Sequence, residues 1–281
     1  MNANVRRFLS NPKAVIGLSI ILIVVLAAFL APVLFPRSPW DMVSRPFLPP
    51  FQDGRYWLGT DMLGRDIFAG LAHGAQVSLI VGFVSTLVAL GVGILFGALA
   101  GYYGGLIDDA LMRVTEFFQT IPTFIFALLL VAIFNPSVTS IIVALGIVSW
   151  PPVARLVRSE FASLRSREFV KAAVVLGQSN GQIIFRQILP NTMSPVIAMA
   201  SLMVATAILN EAAISFLGLG DPNRMSWGYM IGASRTVIRQ AWWMSFFPGM
   251  VILLVVLALN LVGEALNDVL NPRLARKKGH G

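Results

Sequence analysis

Long runs without a single charged residue constrain this chain more than any other feature. Val15 to Leu34 contains no Asp, Glu, Lys or Arg, and neither does Val77 to Tyr103. A bilayer-crossing helix needs about 20 mostly apolar residues, so each run is long enough to be one. Only 12% of the 281 residues are charged, 57% are hydrophobic, and the mean hydropathy is +0.78. Soluble domains carry roughly a quarter charged residues, so too little polar surface is present to cover a water-soluble globule. The chain reads as an all-α membrane protein.

The first run follows Arg6, Arg7 and Lys13. A signal peptide would have a shorter apolar region and a small-x-small cleavage site, so a retained first span is expected. Glu116 to Arg155 brackets an uncharged stretch too long for one helix. Asn135, Pro136 and Ser137 divide it, because proline lacks an amide hydrogen and clashes with the preceding turn. It reads as a hairpin of spans three and four. Thr192 to Ala213 supplies span five and Phe246 to Gly263 span six. The expected organisation is an N-terminal segment 1–14, a first span 15–34, an outer connection 35–75, a five-helix core 76–265 containing an inner loop 158–190, and a tail 266–281.

Lys and Arg retain loops on the cytoplasmic side. With the N-terminus inside, the inner segments hold 14 such residues and the outer segments 7. Both termini are therefore expected in the cytoplasm. The formal charge of +8 is spread between apolar runs rather than gathered on one soluble face, which argues against nucleic acid as a partner. Membrane lipid is the surrounding medium. There is no Cys, which excludes disulfides and thiolate metal sites. The two outer segments, 35–74 with five prolines and 218–244 with Trp227, Trp242 and Trp243, read as ordered connections near the outer surface.

Gly93, Gly97, Gly101 and Gly105 recur every fourth residue, which stacks them on one face of span two and lets another backbone approach. Glu211 is a carboxylate inside a span, a costly placement that implies a polar partner or cavity. It could meet the amino group of an incoming solute or pair with Arg65; its place near the outer end of the span favours the pairing.

The most informative polar stretch is Arg155 to Pro190. Ser166 is placed to cap a helix with Glu168 in its first turn, and Gly177 supplies a left-handed stop. A second short helix through Ile183 and Ile188 is expected to end before Pro190. Such a helix–turn–helix suits either another protein's groove or an amphipathic connector on the bilayer.

Glu168-Phe169-Val170-Lys171-Ala172-Ala173-Val174-Val175-Leu176-Gly177, with Ile188-Leu189-Pro190 beyond it, resembles the signature loop of binding-protein-dependent ABC importer permeases. Trp57-Leu58-Gly59-Thr60-Asp61-Met62-Leu63-Gly64-Arg65-Asp66 resembles the outer motif of the C-type subunit of dipeptide, oligopeptide and nickel importers. So do Ile214 to Gly220 with Trp227-Gly228, and Asn267 to Arg273. The resemblance implies a six-helix type I ABC importer permease in the cytoplasmic (inner) membrane. It implies that Glu168, Lys171, Ala172, Ala173 and Gly177 couple to an ATPase, although Lys171 stands where the signature has Glu. Arg65, Asp66, Glu211 and Asp221 become candidates for an outer gate or translocation path.

The implied partners are a homologous B-type permease, two ATP-binding subunits and an extracytoplasmic solute-binding protein. No Gly-Lys pair exists to build a phosphate-binding loop, so ATP and Mg are expected on the partners and no cofactor or metal on this chain. A nickel chelate or another small solute is the alternative cargo. From other classes, a channel or receptor would work without ATPases. Gly218-Leu219-Gly220-Asp221 matches one motif of intramembrane aspartyl proteases, but the second carboxyl that such chemistry shares is missing from its expected motif.

Overall fold

The computed structural model describes residues 3–270; the segment from Asn271 onward, including Pro272, Arg273, Arg276, Lys277, Lys278 and His280, lies outside the described residues. The chain forms α1 (Ala3–Leu9), α2 (Pro12–Leu34), α3 (Ile67–Tyr103), α4 (Gly105–Thr120), α5 (Thr123–Phe134), α6 (Val138–Ser149), α7 (Pro151–Arg165), α8 (Glu168–Val175), α9 (Asn180–Gln182), α10 (Leu189–Ile214), α11 (Trp227–Ser234) and α12 (Trp243–Leu270). No strand occurs among the described residues; two isolated bridges, Met42 to Arg65 and Thr60 to Asp66, are the only β pairing. Among the described residues five helical runs are long and apolar enough to cross a membrane, or six where the bent pair, α4 with α5, is counted as one crossing.

Each start and stop has a local cause. Asn11 caps α2, its side chain accepting from the Lys13 amide at 3.0 Å, with Pro12 in the first turn where its missing amide is harmless. Pro32 lies inside the same helix and cannot bond the Ala28 carbonyl. Gln76 of α3 donates to that carbonyl at 2.7 Å instead, satisfying a group that lipid could not.

The helix that carries span two begins at Ile67, well before the apolar run at Val77. Asp66 caps it by accepting from the Phe68 amide at 2.9 Å. Its added first turns are rich in Ala and Gly, and Ala69, Gly70, Ala72, Gly74 and Ala75 are buried against protein, so hydropathy alone marks only the later part. With 37 residues it is about 55 Å long, more than a bilayer's apolar thickness.

Asn135, with φ +67°, and the Ser137 cap of α6 make the expected break between α5 and α6. A second break was not foreseen. At Ile121 and Pro122 the chain bends by 82° between α4 and α5, because proline disfavours helical backbone before it. The helix after α8 also departs from expectation. Residues 180–219 form one continuous helical run, through a wide π turn at Ile183–Ile188, through α10, to a second wide turn at Ser215–Leu219. Pro190 does not stop it: its absent amide falls in the first turn of α10, beside a ladder already widened so that the Leu189 amide donates to the Ile184 carbonyl.

Packing follows from side-chain size. α3 and α7 run in the same direction and touch along Gly93, Gly97 and Gly101. A Cβ on Gly93 would lie 2.5 Å from Val153, and one on Gly101 2.6 Å from Phe161. Gly105 is not on this stripe. Gly104, at φ +67°, ends α3, and Gly105 opens α4 at φ +54° with empty space around its missing side chain. α10 lies between α3 and α12, and α12 also packs on α2. At the end where α2 begins and α12 finishes, Lys13 and Glu264 form an ion pair.

Residues 35–66 are ordered by their own bonds. Thr60 is fully buried; its hydroxyl accepts from the Leu48 amide at 3.0 Å and donates to the Arg45 carbonyl at 2.7 Å. The indole of Trp243 donates to the Thr60 carbonyl at 3.1 Å. Trp227 and Trp243 therefore belong to the core rather than to an interfacial belt, and of the three tryptophans in the second connection only Trp242 is exposed.

Candidate functional site

At the end of the bundle where α3 and α7 finish, the chain builds a compact helix–turn–helix. Ser166 does not cap α8: its hydroxyl donates back to the Ser163 carbonyl, closing α7, and Arg167 takes the capping position without a side-chain bond. The sequence runs directly from one helix to the next, so the serine is used by the helix it ends. Glu168 does occupy the first turn of α8.

Gly177 adopts φ +74°, with its amide bonded to the Val174 carbonyl at 3.0 Å and the Gln178 amide to the Ala173 carbonyl at 3.1 Å. This is the paired closure that a left-handed glycine makes at a helix end. Ser179 then caps the next helix reciprocally with Gln182. Tyr102 of α3 donates to the Asn180 side chain at 2.9 Å, and Gln187 to Gln178 at 3.1 Å, pinning the turn.

Of the expected coupling residues, Ala173 is buried with Val170 against Val157 and Phe161 of α7 and Ile183, Ile184 and Ile188 of the following run. Ala172, Lys171, Glu168 and Gly177 face outward. Val175, at 86% exposure, and Leu176, at 78%, protrude beside them.

The four charged residues expected at a gate are not gathered into one. Arg65 pairs with Asp61 and lies 5.2 Å over the Trp40 ring and 6.0 Å from that of Tyr229. Burial lowers its affinity for the proton, but the Asp61 carboxylate and the Tyr229 hydroxyl together more than compensate and hold the guanidinium above its ordinary value. Asp66 caps α3; burial raises its carboxyl above the ordinary range while the Phe68 and Ala69 amides pull it back. Asp221 accepts from the Val138 amide at 3.1 Å and the Asn223 amide at 2.9 Å, tying a connection to the start of α6.

Glu211 does not meet Arg65. It is 2% exposed and accepts from Ser215 and Ser226 at 2.8 Å each and from Ser78 at 3.2 Å. Ser78 in turn accepts from the Trp227 amide at 3.2 Å. The carboxylate therefore clasps α3, α10 and α11 together through hydroxyls alone. The reason Arg65 is absent is that Asp61 and two aromatic rings already hold it.

A cavity of about 450 Å³, unmarked by any motif, opens between α3, α5, α6, α7 and α10. Ser85, Thr86, Thr123, Thr206 and Asn210 line it with Met199 and Met203, and no charged residue does. The hydroxyls of Ser85, Thr86 and Thr206 donate to carbonyls of their own helices, leaving oxygen lone pairs toward the space. The sequence signal for these residues is weak, because isolated Ser and Thr are common in membrane helices and need no cavity to be satisfied.

Six crossings, an uncharged cavity between them and a compact helix–turn–helix at one end define a multi-span permease scaffold. The membrane subunit fold of the inward-facing MetNI methionine ABC transporter matches it with a TM-score of 0.58 at 18% identity, over 72% of this chain and 95% of that chain. Residues 93–276 match the family described as binding-protein-dependent transport system inner membrane component, and residues 3–50 match the N-terminal TM domain of oligopeptide transport permease C. The chain belongs to this family of inner-membrane permease components. It is 42% identical to the dipeptide transport system permease protein DppC of Alkalihalophilus pseudofirmus, over 94% of this chain and 87% of the relative. It is 39% identical to the di/tripeptide transport system permease protein DppC of Pseudomonas aeruginosa, over 95% and 90%.

Proposed function

We propose that this chain is the C-type permease of a peptide-importing ABC transporter, and that residues 168–181 are the lever through which separate ATPase subunits drive it. The observation that carries the cargo is the 42% identity, along nearly the whole chain, to a relative named as a dipeptide transport permease. In this reading both termini and the lever face the cytoplasm. A homologous B-type permease completes the path, a binding protein delivers peptide from outside, and two ATPases supply ATP and Mg chemistry. This chain catalyses no covalent step.

The geometry supports the lever. Val170 and Ala173 share one packed cluster with Val157, Phe161 and Ile188, so a push on α8 moves α7 and the base of α10 as one body. The uncharged cavity beside Asn210 supports a path that holds peptides weakly through hydrogen bonds rather than by fixed charge. Glu168, Lys171, Ala172 and Gly177 form the face presented to the ATPase. Arg65, Asp66, Glu211 and Asp221 act as fasteners of the outer connections.

The test is Gly177→Asp in cells that depend on the importer for peptide uptake. A side chain at φ +74° is strained, and the closing turn of α8 opens. The variant should insert into the membrane at normal levels yet fail to support uptake. Uptake at the unsubstituted rate would refute the lever.

A further inference from the structure

We propose that the cleft between α8 and the end of α3 receives a carboxylate side chain of the ATP-hydrolysing subunit, with Lys171 and Arg165 as its counter-charges. The proposal rests on the docking role given above and adds the charge that the partner must carry.

The cleft measures about 260 Å³, and its walls include Tyr103, Arg165, Lys171, Val174 and Asn180. Two cations and no carboxylate line it. Arg165 is already oriented: it donates to the Tyr103 carbonyl at 3.3 Å and lies 5.9 Å from the Tyr102 ring centre. That leaves most of its guanidinium donors for a ligand. Lys171 makes no ion pair and no side-chain hydrogen bond among the described residues. Glu168, the one carboxylate between Arg165 and Arg186, forms no ion pair with it either. Near this end Arg158 pairs with Asp108 and Lys13 with Glu264, whereas Arg155, Arg167 and Arg186, like the two cleft cations, form no ion pair among the described residues. The positive charge of the cleft is therefore uncompensated.

The position of Lys171 on its helix decides which partner fits. Successive residues turn by about 100°, which sets Lys171 between Val174 and Val175, one step round from the buried Val170, with Glu168 on the far side of Val175. A helix lying on lipid keeps its cations on the polar face, away from the apolar residues that enter the membrane. Here the cation stands among the exposed apolar residues. A protein surface that covers Val175 also covers Lys171, and removing that ammonium from water without a counter-charge is strongly unfavourable. An acidic residue entering the cleft resolves this, and the adjoining Arg165 gives it a second, geometrically fixed donor.

The experiment uses the complete importer reconstituted in lipid discs containing phosphatidylglycerol. It follows retention of the ATPases on the purified permease, peptide-stimulated ATP hydrolysis and bound phospholipid. Lys171→Glu is expected to lower ATPase retention about tenfold or more, as reversal of a docking charge does, with Lys171→Met intermediate. Replacing one carboxylate of the ATPase by Lys should restore Lys171→Glu. Val175→Asp probes docking independently of the cleft. If Val175→Asp releases the ATPases and Lys171→Glu behaves as the unsubstituted protein, the carboxylate contact is wrong and docking stands. If neither variant changes retention, the docking role itself falls. If Lys171→Glu keeps its ATPases but loses bound phosphatidylglycerol, the cleft serves the membrane and the proposal is overturned.

Discussion

At the scale of single residues, Glu211 is a buried carboxyl whose side-chain partners are all hydroxyls. Three hydroxyls converge on it, from α3, from the wide turn that follows α10 and from the cap of α11. Removing the carboxylate leaves each hydroxyl without its acceptor. Glu211→Leu should cost about 2–3 kcal/mol, the loss of hydrogen bonds to a charged group, and lower the midpoint of thermal unfolding in detergent by several degrees. An unchanged midpoint would show that the clasp contributes nothing to stability. That a carboxylate in span five needed a partner was legible from its cost in lipid. Which partners it takes was not: Ser215 lies one turn on, but Ser78 and Ser226 are distant along the chain, and none of the three carries a charge to advertise the contact.

At the scale of elements, the glycine stripe divides what spacing reveals from what it hides. Gly97 faces the Ala154 carbonyl and the backbone amide of Arg158, so any side chain there drives α3 from α7. Gly97→Val should cost about 2 kcal/mol or more through overpacking, whereas Gly105→Ala meets open space and carries only backbone strain of about 1 kcal/mol. Thermal scans of the two variants side by side check the difference; equal losses would contradict the packing. Four-residue spacing identified the stripe through Gly101 because α3 is regular that far. It failed at Gly105 because the positive φ of Gly104 ends the helix between them, and backbone handedness leaves no periodic trace in a Gly-Gly pair. The bend at Pro122 was hidden for another reason: no charge falls between Glu116 and Arg155, so the residues on either side of the bend join one uncharged run.

At the scale of the whole molecule, one apolar cluster spans the distance from the exposed lever to the crossings. Phe161 is fully buried in it, between α3, α7 and α8. Phe161→Ala should cost about 3–5 kcal/mol in stability and slacken the connection, so that less peptide is moved per ATP hydrolysed by the assembled importer. Reconstituted vesicles measure that ratio directly; a ratio equal to that of the unsubstituted protein would mean that force reaches the crossings by another route. The architecture of six crossings followed from apolar length, and the end of α8 from Gly177. The uncharged cavity did not, since it is formed by positions on five helices that only packing brings together.

The bond from Gln76 to the Ala28 carbonyl bears on how such chains can be recombined. The first helix falls within a segment, residues 3–50, that matches a family unit of its own, and a second unit starts at residue 93. Gln76 belongs to neither, yet it satisfies the backbone oxygen that Pro32 leaves open in the first. A chimera joined at residue 50 inherits the vacancy without its remedy unless the recipient has a donor at the same place. The functional seam between the modules thus lies beyond residue 76, inside the second crossing, where no linker marks it.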